Sequence, residues 1–267
     1  MTRLRVGAVL DDAVAELLKR AGTAALASSA SPVVQRKSDG SVVTDVDRRA
    51  EATIVEGLMR LYPGDGIIGE EGSRVAGSTG ADWYVDPLDG TSAFIEGLAY
   101  WGPTVCRVVS GRYESGWLYL PRLDELYSAR RGGGAWPDGR RLHAGDTNVE
   151  GDTPLCLPSR YHRRMPIAWP GRVRAVGSTA CHLALVARGS AAAAIIPGDR
   201  PWDVGCGVLL VTEAGRLVES LAGEAIAGPQ TGSPLPVVAG APTPLRVLQD
   251  GLLRSRASGL ATQRRTE

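Results

Sequence analysis

The stretch from Trp83 to Phe94, WYVDPLDGTSAF, constrains this chain more than any other. It opens with bulky residues suited to a buried strand. It then sets Asp86 and Asp89 three positions apart around a proline, and Gly90-Thr91 follows as a helix start. Pro87 fixes one backbone angle of the turn. Gly90 allows close backbone approach, and amides at a helix N-terminus attract anions. One short turn therefore offers carboxylates to a hard cation and amides to a phosphate. Mg²⁺ suits that combination, because it takes a few carboxylates and leaves its other positions to water and phosphate oxygens. A turn with two solvated acids has the same local pattern, so the rest of the chain has to decide.

Other acids stand in comparable places. Glu70 and Glu71 follow the short apolar run Ile67-Ile68, although adjacent acids are common on surfaces. Asp203 opens a helix after Pro201-Trp202, where an N-cap role competes with ligation. Thr44 and Asp47 have the spacing of a capping box. Glu213 falls near the end of its helix, where the dipole disfavours a negative charge. That misfit hints at a task for Glu213.

The periodicity predicts an amphipathic helix over 9–29 and a second over Asp45 to Leu61, stopped by Pro63-Gly64. Thr104 to Arg130 reads as an antiparallel meander, with Gly132-Gly133-Gly134 as a turn. Beyond residue 150 strands and helices alternate. Strands are expected at 174–176, 192–196 and 237–239, and helices at 179–188, 203–214 and 243–253, before a frayed polar end. The division is an α+β half over 1–150 and an α/β half over 151–267.

Composition bounds the partners. The formal net charge of +1 demands no broad basic surface, so a nucleic acid polymer is not the expected partner. No apolar run reaches membrane-spanning length, and Asp11, Asp12 and Glu16 interrupt what a secretory signal needs. Cys106, Cys156, Cys181 and Cys206 are scattered without a CxxC pair, which fits a reducing cytoplasm.

The ordered set GEEG, DPLDGTSAF and PWDVGCGVLLVTEAG, with Lys37-Ser38-Asp39 and Val43-Thr44-Asp45-Val46-Asp47 upstream, resembles the inositol monophosphatase family. That family lies within the lithium-sensitive, Mg²⁺-dependent phosphatases, and the resemblance runs from about Asp11 to Leu253. It implies a layered αβαβα sandwich of the inositol monophosphatase and fructose-1,6-bisphosphatase type, and a homodimer. By resemblance Glu70, Asp86 and the Leu88 carbonyl hold a first Mg²⁺, while Asp86, Asp89 and Asp203 hold a second. A third ion approaches Glu70 through water. Thr91, paired with Asp47, orients the attacking water, and Glu70 joins them in the catalytic set. Asp89, Gly90, Thr91, Gly177, Ser178 and Glu213 are the implied substrate contacts.

The resemblance thins where substrate is held. Ala191 to Ile196 is wholly apolar where relatives commonly carry an acid and an aromatic, Pro197-Gly198-Asp199-Arg200 is unusual, and Arg216 replaces a glycine. The substrate is thus expected to be a small phosphorylated metabolite. Histidinol phosphate, sugar phosphates and 3′(2′),5′-bisphosphate nucleotides stand beside inositol phosphate. Two other readings compete. Cys106 and Arg112 have the bare spacing of a cysteine-dependent phosphatase loop, but strand and turn residues lie between them. A catalytically inactive scaffold would be signalled by a lost ligand, and none is lost.

Overall fold

A computed structural model of the chain describes residues 2–38, 40–160, 167–198, 200–230 and 236–263. Asp39 and Asp199 lie outside the described residues.

Five layers stack in the order αβαβα. The outer helices α1 (Thr2–Ala27) and α2 (Asp45–Leu61) cover one face of a seven-stranded sheet. Between them a two-stranded ribbon, β1 (Val34–Arg36) and β2 (Val42–Thr44), leads into α2. The large sheet contains β3 (Gly66–Gly69), β4 (Arg74–Val75), β5 (Ala81–Asp89), β6 (Gly102–Val109), β7 (Arg112–Leu120), β8 (Glu125–Arg130) and β9 (Gly134–Pro137). Its spatial order is β4-β3-β5-β6-β7-β8-β9, and the short helix α3 (Thr91–Ile95) follows β5.

The middle layer is α4 (Thr179–Ala187) and α5 (Pro201–Glu213). Next come five strands: β10 (Pro154–Cys156), β11 (Arg172–Arg174), β12 (Ala193–Ile196), β13 (Leu217–Ser220) and β14 (Val237–Gly240). They are ordered β11-β10-β12-β14-β13, and α6 (Pro242–Gln263) covers their outer face.

Strand alternation explains the layering. Val105 packs outward against α1 and α2, while its neighbour Cys106 packs inward against α4 and α5. Likewise Ile195 faces α6, and Ile196 faces the middle layer. Both sheets are buried on two faces, which is why their strands read as apolar runs rather than clean alternations. Each fully buried large side chain, such as Trp83 or Leu118, contributes about 1.5–3 kcal/mol. Helix α5 packs tightly on the large sheet: a β-carbon on Gly205 would stand 2.8 Å from Cys106 Sγ. That close approach carries the N-terminus of α5 down to β5.

Several boundaries differ from the expected ones. Helix α1 begins at Thr2, and α6 runs on to Gln263 rather than fraying after Leu253. The strand expected at 174–176 lies at Arg172–Arg174, pinned by parallel pairing with β10. Gly134 belongs to β9 rather than to the turn. Among the described residues no helix is long and apolar enough to cross a membrane.

Candidate metal centre

Sheet register builds the acidic site. Strands β3 and β5 run parallel with Gly69 opposite Val85, so the next residues, Glu70 and Asp86, emerge side by side. The Glu70 amide donates to the Val85 carbonyl at 2.9 Å and fixes that exit. Along β5, residues three apart would normally point to opposite faces. A bulge removes the difficulty: Asp86 pairs with Thr104 and Asp89 with Gly102, so one extra residue sits between the two acids. Both carboxylates then share a face. Asp86 Oδ1 accepts the Leu88 amide at 2.8 Å, closing the turn around Pro87.

Helix α5 brings in Asp203 from its first turn. One carboxylate oxygen each from Glu70, Asp86 and Asp203 lies within 4.8 Å of the others. Oxygens on opposite sides of one Mg²⁺ stand about 4 Å apart at bonds of about 2.1 Å. The trio therefore fits a hard cation after a small contraction, and its all-oxygen donor set is the kind Mg²⁺ takes. Burial pushes the Asp86 carboxyl well above the usual range, and Glu70, Asp89 and Asp203 push it further. Burial does the same to Asp203, helped by Asp89 and Glu70. A cation would remove that cost.

Asp89 is held differently. It accepts from Ser178 Oγ at 2.5 Å and from the Ala180 and Thr179 amides at 2.6 and 3.2 Å. Burial nevertheless pushes its carboxyl up to about 6. Ser178 is 1% exposed and caps α4 through the Cys181 amide, so it orients Asp89 instead of lining the cavity. Gly177 does line the cavity, beside Gly90 and Thr91. Gly90 has φ 94°, and a β-carbon there would stand 3.1 Å from Ser178 Cβ, so only glycine fits this helix entry without strain.

The capping-box and water-orienting readings of Asp47 coexist. Its Oδ2 accepts the Thr44 amide and hydroxyl at 2.7 and 2.5 Å, while Thr91 Oγ1 is 3.1 Å from its Oδ1. Thr91 Oγ1 also lies 3.3 Å from the Leu88 carbonyl. Asp47 is 1% exposed, and burial raises its carboxyl despite those donors.

Two further residues shape the site: Glu51, which no motif includes, and Lys37, which the upstream motif includes without a role. Glu51, in mid-helix α2, is 3% exposed and accepts the Glu71 and Ser73 amides at 2.8 and 2.9 Å, fixing the loop that presents Glu70. Lys37 Nζ lies 2.9 Å from Glu70 Oε1 and from Glu71 Oε1. Burial pulls its ammonium down, but Glu71 and Glu70 outweigh burial and hold it above its ordinary range.

Glu213 is a correction. It accepts the Gly132 and Gly134 amides at 2.7 and 2.9 Å, tying α5 to the β8–β9 turn, and is not among the cavity-lining residues. Ten residues of helix, about 15 Å at 1.5 Å per residue, separate it from Asp203. Cys106 does not line the cavity either: it is 1% exposed in β6, and burial pushes its thiol well above the usual range.

The sequence model of the inositol monophosphatase family matches residues 4–260. The chain belongs to the inositol monophosphatase family. Relatives include the Nus factor SuhB of Pseudomonas aeruginosa, 37% identical over 206 residues, covering 71% of this chain and 76% of the relative. An inositol-1-monophosphatase of Mesorhizobium japonicum is 36% identical over 202 residues, with the same coverage of 71% and 76%. Among solved structures, the extragenic suppressor protein suhB of Bartonella henselae superposes with a TM-score of 0.81 at 25% identity, covering 91% of this chain and 98% of its own. The fold is also that of an IMPase from Thermotoga maritima, with a TM-score of 0.78 at 24% identity and coverage of 95% and 99%. Membership of this family accounts for the layered αβαβα architecture.

Proposed function

We propose that this chain hydrolyses a small phosphomonoester with Mg²⁺ held by Glu70, Asp86, Asp89 and Asp203. The observation that carries the reading is the convergence of three carboxylates within 4.8 Å in the lining of a cavity of about 600 Å³. Bound Mg²⁺ supplies positive charge that polarises a phosphoryl group and eases the loss of a proton from water. In this reading Asp86 would serve two Mg²⁺ ions. Glu70 and the Leu88 carbonyl would complete the ligands of one, Asp89 and Asp203 would complete those of the other, and a third ion would approach Glu70 through water.

The chain's own groups supply orientation. The Gly90 and Thr91 amides at the start of α3 receive a phosphate oxygen. Asp47 accepts the Thr91 hydroxyl proton, which leaves the Thr91 oxygen free to accept a hydrogen from the attacking water. That contact turns the water lone pair toward phosphorus for direct, in-line displacement, with no covalent phosphoenzyme. Family membership and the retention of every acid in the set support an active phosphatase over an inactive scaffold. The relative named an inositol-1-monophosphatase makes an inositol phosphate one substrate to test. Histidinol phosphate and adenosine bisphosphates are others within the same chemistry.

The test is phosphate release with Mg²⁺ across these substrates, and again with EDTA. Mg²⁺-dependent release from at least one is expected. No release from any of them would sink the reading.

A further inference from the structure

The cavity that holds the acids is also lined by a cation. Pro158, Ser159 and Arg160 enter its lining from the loop that follows β10. Strands β10, β11 and β12 run parallel in the spatial order β11-β10-β12, so the segments leaving them sit side by side. The Leu157 amide donates to the Arg174 carbonyl at 2.8 Å, which carries the β10–β11 pairing on toward that end. On one side of the Arg160 loop is Gly177, where a β-carbon would stand 3.0 Å from Ala93 Cβ in α3. On the other side the connection from β12 runs through Pro197 to Asp203. Arg160 is therefore placed between the loop that touches α3 and the segment that delivers Asp203. The carboxyl ends of parallel strands are where sheets of this kind bind ligands.

Resting on the phosphatase reading, we infer that the alcohol portion of the substrate carries a second anionic group, a carboxylate or a phosphate, and that Arg160 receives it. Among the described residues no hydrogen bond or ion pair engages Arg160. Other surface arginines are engaged: Arg49 pairs with Asp45, Arg60 with Glu56 and Arg131 with Glu114. The four acids among the described lining residues, Glu70, Asp86, Asp89 and Asp203, all belong to the proposed metal set, so none of them is left over for Arg160. A guanidinium presents its donors in a planar fork that matches a carboxylate or a phosphate. The low-dielectric walls of a cavity focus its field more than an open surface does. Ser159 adds a hydroxyl to the same stretch of lining. Pro158 fixes a backbone angle two residues earlier, which limits the freedom lost on binding. The volume of about 600 Å³ accommodates a second anion in addition to the scissile phosphate.

Phosphonates, which cannot be hydrolysed, separate binding from turnover. Calorimetry with Mg²⁺ present compares plain alkylphosphonates with ω-carboxyalkylphosphonates and α,ω-alkylene diphosphonates of matched length, in a series of chain lengths. At one length or more a doubly anionic compound is expected to bind at least about tenfold more tightly than its plain partner, the scale of a hydrogen bond to a charged group. The carboxylate and diphosphonate arms tell which anion fits better. Arg160→Gln is expected to cut that preference by about fivefold or more. The exposed Arg160 side chain tolerates the change without loss of fold. The corresponding phosphate esters are then compared for kcat/KM, with the same preference expected. Equal binding at every length, or no binding of the doubly anionic compounds, would overturn the inference. So would a preference that survives Arg160→Gln, since it would trace to Mg²⁺ or place Arg160 on the scissile phosphate. Arg160-dependent selectivity in binding without hydrolysis of any ester would overturn the phosphatase reading instead.

Discussion

Thr91 Oγ1 lies 3.1 Å from Asp47 Oδ1, joining the first turn of α3 to the first turn of α2 across 44 positions of chain. The same aspartate closes the capping box with Thr44. One carboxylate therefore serves a helix end and a candidate catalytic hydroxyl together.

Thr91→Ala removes the hydroxyl but leaves the backbone amides. The expected outcome is a fall in kcat of about 100-fold with a much smaller rise in KM, because orientation of water matters most in the transition state. Steady-state kinetics check it. A change in KM alone would show that Thr91 binds without orienting. Asp47→Asn is expected to lower both kcat and stability, the latter by about 1 kcal/mol for a weakened cap.

Asp203→Asn and Asp86→Asn remove charge from a site where buried carboxyls repel one another. Each is expected to abolish Mg²⁺-dependent turnover while the metal-free protein melts no lower than the parent. Differential scanning calorimetry with EDTA, and again with Mg²⁺, gives the readout. A parent-like Mg²⁺ stabilisation in either variant would remove that residue from the ligand set.

Glu51→Gln tests the support of the Glu70 loop. Two amides need two acceptor oxygens, and glutamine offers one. The Mg²⁺ concentration for half-maximal stabilisation is expected to rise at least about tenfold. Unchanged Mg²⁺ dependence would make Glu51 a purely structural anchor.

Two pH effects run in opposite directions. Asp89 is raised to about 6 without metal, and Asp86 and Asp203 are raised as well. Their contribution to metal-free stability is complete below the unfolded value near 4 and is lost as pH rises through the folded values. Mg²⁺ needs the ionised forms, so its thermal stabilisation should be larger at pH 8 than at pH 5.5. An equal or smaller shift at pH 8 would contradict this.

His182 behaves in the opposite sense: burial lowers it to about 4, and its Nε2 accepts the Val176 amide at 3.1 Å. Its neutral form stabilises the fold above about pH 6.5, and that contribution fades as pH falls toward 4. The urea-midpoint gap between the parent and His182→Leu should therefore narrow over that range.

The helices were legible because their signals are local. Helix α2 carries a capping box at Thr44 and stops at Pro63-Gly64. The short strands β10 and β13 were not: Pro154-Leu155-Cys156 is only three residues, and Leu217–Ser220 carries Glu219 and Ser220 where β12 and β14 run apolar. Glu70, Asp86 and Asp203 could be named from motifs, but their meeting depends on the β3–β5 register and on α5 lying close to the sheet. Glu213 was expected among the substrate contacts because the resemblance implies it, and its place at a helix end only hinted at a task. Two glycine amides from a distant turn satisfy it. Glu51 left no signal at all, as a mid-helix glutamate ordinarily faces water.

The most direct test of the central claim compares the parent with Cys106→Ser in phosphate release before and after EDTA, then with Mg²⁺ restored. The acidic-site account predicts that EDTA stops both proteins, that Mg²⁺ restores both, and that Cys106→Ser keeps most of the activity. Hydrolysis that survives EDTA and disappears with Cys106 would contradict it.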